Sequence, residues 1–474
     1  MSNDIKSSFG VEVELVIAIK ADNSNTIPGM FRSSKGRPIE PEMDTPIPEL
    51  IFQKVQKVMD NAAKGHEGHR VITDEKELLS GDGNHLKDYI GWVVDRDYSV
   101  IQDNNLGPEM DSYLWMDLEI KSPALFATEE SFQEVQHVIT ALNDNFWIYA
   151  PRSAGLHVHY GRGKDWIPIR HLRRIAAFLF AADPILTQMH PPNRRGWEYS
   201  FCPSNRLYSI LAHGLTKDQV SKRLGFYRDD GDYEEGPDTS QSGTVPVSEP
   251  PQPNSPRFTP VFQRGAIKGY ELNPHYYADG GCIWARDYLP ERVKGEPLDI
   301  MVAARELLSA PNAAVISLWM RHNALGRSAY NFEAYEKQEP DEDGVNEVEL
   351  LRTNTYILSG PKRTIEFRQA AGTVQPDEVV AHARIAVGLC EYASKVDINT
   401  LWKMIMDLSQ AETQPEWYDI FDLLFEIGLV NEAKVIQRRV ADREGIFILD
   451  EQHGWFYPPN SRGPPPFLSS RQPK

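Results

Sequence analysis

Cysteine is scarce: Cys202, Cys282 and Cys390 are the three in 474 residues, and they lie far apart. That spacing offers neither a disulfide framework nor a thiolate zinc module, and it fits a reducing cytosol. Long apolar runs are missing too. No stretch approaches the ~18 residues of a membrane helix, and the opening MSNDIKSSFG lacks a signal-peptide core. Positive charge is the third shortage. With a formal net charge of -18 and no basic run beyond pairs such as Arg173-Arg174 and Arg194-Arg195, nucleic-acid binding by general electropositivity is excluded. Neither a GxxxxGKS/T loop nor a GxGxxG turn occurs, which argues against P-loop and Rossmann enzymes. The expectation is a cytoplasmic protein with no nucleic-acid and no membrane partner.

What remains is the composition of a globular protein, 41% hydrophobic and 25% charged. FGVEVELVIAI, residues 9–19, predicts a buried strand, and PELIFQKVQKVMDNAAKG predicts a helix between Pro48 and Gly65. YIGWVVDRD and SYLWMDLEIKSP read as strands, TEESFQEVQHVITALND as a helix, and IRHLRRIAAFLFAADPILTQMH as one or two helices divided at Pro184. Residues 227–260 are acidic and then Ser- and Pro-rich, too poor in large apolar residues to offset their ordering entropy; they read as a flexible insertion. A second acidic loop spans 336–349. The domain reading is a catalytic unit over 1–395 carrying both insertions, a helical extension over 396–450, and a tail over 451–474.

Four predicted strands share a pattern. In SAGLHVHYGRG, residues 153–163, His157 and His159 take one face while Leu156, Val158 and Tyr160 take the other. In GVEVEL, Glu12 and Glu14 oppose Val11, Val13 and Leu15. In MDLEIKSP, Asp117, Glu119 and Lys121 oppose Leu118 and Ile120, and in RTIEFRQ, Thr364, Glu366 and Arg368 oppose Ile365 and Phe367. An antiparallel sheet with one solvated face alternates in this way by default. A merely wet face, however, mixes Lys, Thr, Ser and Gln, whereas these faces are rich in Glu, Asp and His. If the strands adjoin, so many carboxylates do not stay ionised side by side without a cation. Glutamate oxygens suit magnesium or manganese, an imidazole among them leans toward manganese, and zinc is disfavoured. An arginine two residues from a glutamate adds a phosphate-binding group, and the set is the equipment of phosphoryl transfer.

FGVEVEL, a tryptophan strand ending in DRDYS, LEIKSP, AGLHVHYG and TIEFRQAAGT, in that order, resemble the amidoligase family, carboxylate-amine ligases related to glutamine synthetase and glutamate-cysteine ligase. The likeness runs from about Phe9 to Thr373, skipping the flexible insertion. It implies an α+β fold: a glutamine synthetase-like curved antiparallel sheet with a polar concave face, packed by helices, plus a C-terminal helical region. It implies ATP and Mg2+ (or Mn2+) as cofactors. The implied partners are a small-molecule or peptide carboxylate and an amine donor, joined as an amide or peptide-like bond through an acyl phosphate. Carried over, Glu14 with Glu119 holds one ion, and Glu12, His157 and Glu366 hold the other. His159 lies near the nucleotide, and Arg368 stabilises the transferring phosphoryl group. Asp97 matches an acidic position that Asp95 would also serve. Arg327 in GRSAYNF and Arg195 in HPPNRRGW are candidate substrate or nucleotide contacts. Ala370 and Ala371 depart from the family pattern, where many relatives carry a histidine and another residue.

Two rivals stand beside this reading. A metal-dependent hydrolase or cupin-like enzyme would use HxH plus Glu to hold zinc or iron, but leaves Glu12, Glu14 and Arg368 without work. A scaffold that keeps the fold without the chemistry has no need to retain these groups. The acid, the amine, the general base and the oligomeric state are not legible.

Overall fold

The structure, a computed structural model, describes residues 6–21, 26–65, 68–72, 89–103, 108–195, 202–215, 217, 220, 269, 297–322, 328–335 and 363–444. The insertion 227–260, the acidic loop 336–349, the tail 451–474 and Arg327 lie outside the described residues.

The strands are β1 (Ser8–Lys20), β2 (Val93–Asp95), β3 (Tyr113–Lys121), β4 (Leu125–Phe126), β5 (Ile148–Tyr149), β6 (Gly155–Gly161), β7 (Tyr330–Asn331) and β8 (Ile365–Ala371). They form one open antiparallel sheet in the order β2-β3-β1-β6-β8-β7, with β4 and β5 also pairing to β1. The helices are α1 (Ile47–Ala63), α2 (Pro108–Asp111), α3 (Glu129–Asn145), α4 (Ile169–Leu186), α5 (Asn205–Tyr208), α6 (Ile300–Leu308), α7 (Ala313–Met320), α8 (Pro376–Lys395), α9 (Ile398–Thr413), α10 (Ile420–Glu426) and α11 (Val430–Glu444). The fold is thus mixed α/β, an open antiparallel sheet packed by helices with further helices at the C-terminal end. Among the described residues no helix is long and apolar enough to cross a membrane.

Alternation decides which face is covered. Val11, Val13, Leu15 and Ile17 of β1, Leu118 and Ile120 of β3, and Leu156, Val158 and Tyr160 of β6 sink into one core against α3, α4 and α8. The same cluster runs on through Leu401, Ile405, Leu408, Ile420 and Leu424, so the C-terminal helices extend this core.

Two local expectations change. The YIGWVVDRD strand shrinks to Val93–Asp95. Pro184 does not divide its helix: α4 runs through it and ends two residues later in a tight turn at Thr187–Met189. A proline this near a helix end forfeits one hydrogen bond and leaves no long segment beyond it to misalign.

Candidate metal and active site

The register of the sheet assembles the polar face. Glu14 stands opposite Glu119, Glu12 is opposite both Lys121 and His157, and His159 is opposite Glu366. One strand pair brings β-carbons to within about 5 Å, so these side chains from β1, β3, β6 and β8 meet above the sheet. They meet out of water: Glu12 is 7% exposed, Glu14 5% and His157 5%.

The His157 ring sits among three carboxylates. Its Nδ1 lies 3.4 Å from Glu12 Oε2 and 3.7 Å from Glu366 Oε1, and its Nε2 is 3.5 Å from Glu14 Oε1. Glycine opens this strand for a steric reason. A Cβ on Gly155 would lie 2.9 Å from His157 Nε2 and 3.3 Å from both terminal nitrogens of Arg194, and the Gly155 amide donates to Glu14 Oε2 at 2.6 Å. His159 Nδ1 contacts Thr364 Oγ1 at 3.1 Å, while Nε2 points to within 3.1 Å of Glu12 Oε1 yet makes no hydrogen bond among the described residues.

β8 completes the group through an irregularity. Val158 pairs with Phe367 and Leu156 with Ala370, so the single residue His157 faces both Arg368 and Gln369. Such a bulge re-aims side chains. Arg368 turns back onto Glu366 and hydrogen-bonds its Oε1, while Asn331 of β7 donates to the other oxygen at 3.0 Å. Gln369 drops into the interior, bonded to Tyr330, Thr187 and the Arg194 carbonyl.

Charge is distributed unevenly. Burial raises the Glu366 carboxyl, but Arg368 and the two imidazoles outweigh it and hold the group at about 2. Glu119 moves the other way, pushed up to about 7 by burial and by Glu12, with Lys121 opposing. At an effective dielectric of about 20, two like charges 4 Å apart repel by about 4 kcal/mol, so the cluster calls for counter-charge.

Three donor groups each draw together within 4.8 Å: Glu12 with His159 and Glu366, Glu12 with Glu119 and His157, and Glu14 with Asp97 and Glu119. Hard carboxylate oxygens with one imidazole at most per group, and a buried His159 Nε2 without a hydrogen bond, are a donor set that fits Mg2+ or Mn2+. Of the two aspartates left open above, Asp97 joins a donor group. Its Oδ1 is tied to the Ser99 amide and hydroxyl, and Asp95 instead sits 3.0 Å from Lys121 Nζ. Arg195 donates from Nε to the His190 carbonyl at 2.6 Å. The neighbouring Arg194 is the buried one, and it bonds the Ser153 and Ala154 carbonyls at the entry to β6. Neither the Arg194 role nor that of Asn331 is visible in a strand pattern, because Arg194 ends a short 3-10 turn and Asn331 lies on the two-residue strand β7, too short to show alternation.

A cavity of ≈ 240 Å³ opens from the cluster toward the start of β1. Glu12, His159 and Lys121 border it on the site side, Ser8 and Gly10 line it along β1, and Val71, Ile72 and Tyr89 give it apolar surface.

Residues 6–224 match a family described as "Putative amidoligase enzyme". Over that segment the chain is similar to the amidoligase family. No curated protein matches the chain. The matched segment supplies β1 to β6 and with them Glu12, Glu14, Glu119, His157 and His159, whereas Glu366 and Arg368 come from β8, beyond its end. The pairing of β8 with β6 is what brings them in.

Proposed function

We propose that the protein is an ATP-dependent ligase that joins a carboxylate to an amine through an acyl phosphate, working on a sheet of the glutamine synthetase type. The observation that carries this reading is the convergence of Glu12, Glu14, Glu119, His157, His159 and Glu366 with Arg368 on one buried sheet face. The match of residues 6–224 to the amidoligase family supports amide formation as the reaction.

In this reading Glu14, Glu119 and Asp97 would hold one Mg2+ or Mn2+, and Glu12 and Glu366 with His157 or His159 would hold a second. Divalent ions there would neutralise polyphosphate charge during transfer. The cavity beside Glu12 and His159 suits a nucleoside, with apolar surface for a base and the donor cluster where phosphates would lie. Arg368 is fixed by its bond to Glu366, and its buried Nε has no hydrogen-bond partner among the described residues, so it is oriented with donor capacity to spare. It would stabilise the phosphoryl group as the substrate carboxylate oxygen attacks the γ-phosphorus and ADP leaves. The amine nitrogen then attacks the acyl carbon, phosphate departs, and the amine gives up one proton. Holding acid, amine and nucleotide together supplies much of the remaining acceleration.

The test is incubation of the purified protein with ATP, Mg2+ and a panel of carboxylates and amines, following ADP release and new masses. ADP formation that depends on both an acid and an amine, with a product lighter by one water than their sum, supports the ligase. Tightly bound zinc or iron and turnover without nucleotide would favour a hydrolase or oxygenase instead.

A further inference from the structure

The strand that carries Glu119 also carries a cation. Lys121 lies two residues on, on the same face, opposite Glu12 in the register of β1 and β3. Its ammonium is 2.9 Å from Glu119 Oε2 and 3.0 Å from Asp95 Oδ2, and its side chain is only 21% exposed. Glu119 belongs to two of the three donor groups, Glu12–Glu119–His157 and Glu14–Asp97–Glu119, as Glu12 belongs to two, so a cation held on Glu119 bears on both. Lys121 therefore occupies the charge position that a divalent ion on Glu119 would fill.

We propose that Lys121 is a resident counter-ion that competes with the divalent metal for Glu119, so that the site binds metal weakly until a polyphosphate draws the ammonium away. The geometry makes this exchange short. Lys121 borders the cavity together with Glu12 and His159, and a lysine stem reorients its head by rotation about its four side-chain bonds. Two of the three ammonium protons are directed to Glu119 and Asp95. A triphosphate entering the cavity offers oxygens of higher charge density than Asp95. Moving the ammonium onto it frees Glu119 for the metal and leaves the fixed charge of the pocket unchanged. Metal and nucleotide thereby bind cooperatively, each strengthening the other by the same factor. The nucleotide half of this inference rests on the ligase reading; the competition between Lys121 and metal does not.

The test titrates the whole protein with Mn2+, reading free Mn2+ by its electron paramagnetic resonance signal, with and without adenylyl imidodiphosphate, a non-hydrolysable ATP analogue. Lys121→Met removes the charge and Lys121→Arg keeps it; far-UV circular dichroism and thermal melting establish that each folds. Without nucleotide, Lys121→Met is expected to bind Mn2+ about tenfold more tightly than the parent, and Lys121→Arg to match it, as removal of one nearby positive charge requires. The analogue should tighten Mn2+ binding to the parent and have a much smaller effect on Lys121→Met. Equal Mn2+ affinity of the parent and Lys121→Met without nucleotide overturns the proposal. Should the two differ as expected while the analogue changes neither, Lys121 stands as the counter-ion and the ATP reading fails.

Discussion

Gly155 holds Glu14 through its amide at 2.6 Å, and the place its Cβ would take lies 2.9 Å from the His157 ring. The glycine in front of the two histidines therefore fixes one glutamate and leaves room for the imidazole among three. Gly155→Ala forces either His157 or Arg194 to move, and Arg194 is itself bonded to backbone carbonyls. Overpacking of this kind costs about 1–3 kcal/mol. A fall in melting temperature with loss of ligase turnover is expected; a variant that melts and turns over like the parent would show that the pocket has slack the distances deny.

Glu366 and Arg368 form the pair on which charge stabilisation depends in the proposed reaction. Glu366→Ala should abolish ATP turnover while circular dichroism stays unchanged. Arg368→Lys keeps the charge but loses the planar fork, and a drop in kcat of about 10²–10³ is expected, in line with removal of one preorganised donor. Steady-state ADP release checks both, and full activity in Glu366→Ala would falsify the assignment.

The parity of residues along β1, β3, β6 and β8 was enough to sort Glu12, Glu14, Glu119, His157, Glu366 and Arg368 from their apolar neighbours, because side-chain direction alternates strictly in a strand. Parity says nothing about which strands adjoin. That order, β3-β1-β6-β8, comes from long-range packing of the apolar face. Nor does it foresee the bulge that sets Arg368 and Gln369 against one histidine, a local break in the very rule being applied. Lys121 obeys the pattern, on one face with Asp117 and Glu119; only the register, with Asp95 and Glu119 beside it, gives it a role. Glu134 shows the converse failure. On an amphipathic helix a glutamate reads as solvent-facing, yet here it is fully buried.

Glu134 is buried because four donors reach it. Arg70 gives two bonds at 2.8 and 2.7 Å, the Gly68 amide one at 2.8 Å and Trp92 Nε1 one at 2.8 Å. It thereby ties the segment before Val71 and Ile72, and the strand after Trp92, to α3. Glu134→Ala leaves a guanidinium, an amide and an indole without their acceptor, and a loss of about 3–5 kcal/mol is expected. The urea midpoint measures it. A shift below about 1 kcal/mol would mean that water replaces the carboxylate. Since Val71 and Ile72 line the cavity, the variant's Mn2+-dependent nucleotide affinity should fall as well.

Asp183 links α4 to the turn before α5: Ser204 Oγ donates to its Oδ2 at 2.6 Å and the Arg206 amide at 2.8 Å. It is wholly buried, and that burial lifts its carboxyl to about 6, the hydrogen bonds and Arg206 pulling the other way. An aspartate in the unfolded chain titrates near 3.9. Because the folded value is the higher one, the stabilisation linked to Asp183 is complete below about pH 4 and is lost as pH rises through about 6; above that the loss is constant. A shift of about two pKa units corresponds to about 3 kcal/mol. Other carboxylates titrate in the same window, so the informative quantity is the difference in unfolding free energy between the parent and Asp183→Asn, which has no proton to lose. That difference should change in favour of Asp183→Asn between pH 4 and pH 6.5 and stay level from pH 7 to pH 8. A difference independent of pH would mean that Asp183 keeps an ordinary carboxylate titration inside the fold, and that Ser204, the Arg206 amide and Thr187, whose Oγ1 donates to Oδ1 at 3.4 Å, outweigh the loss of water.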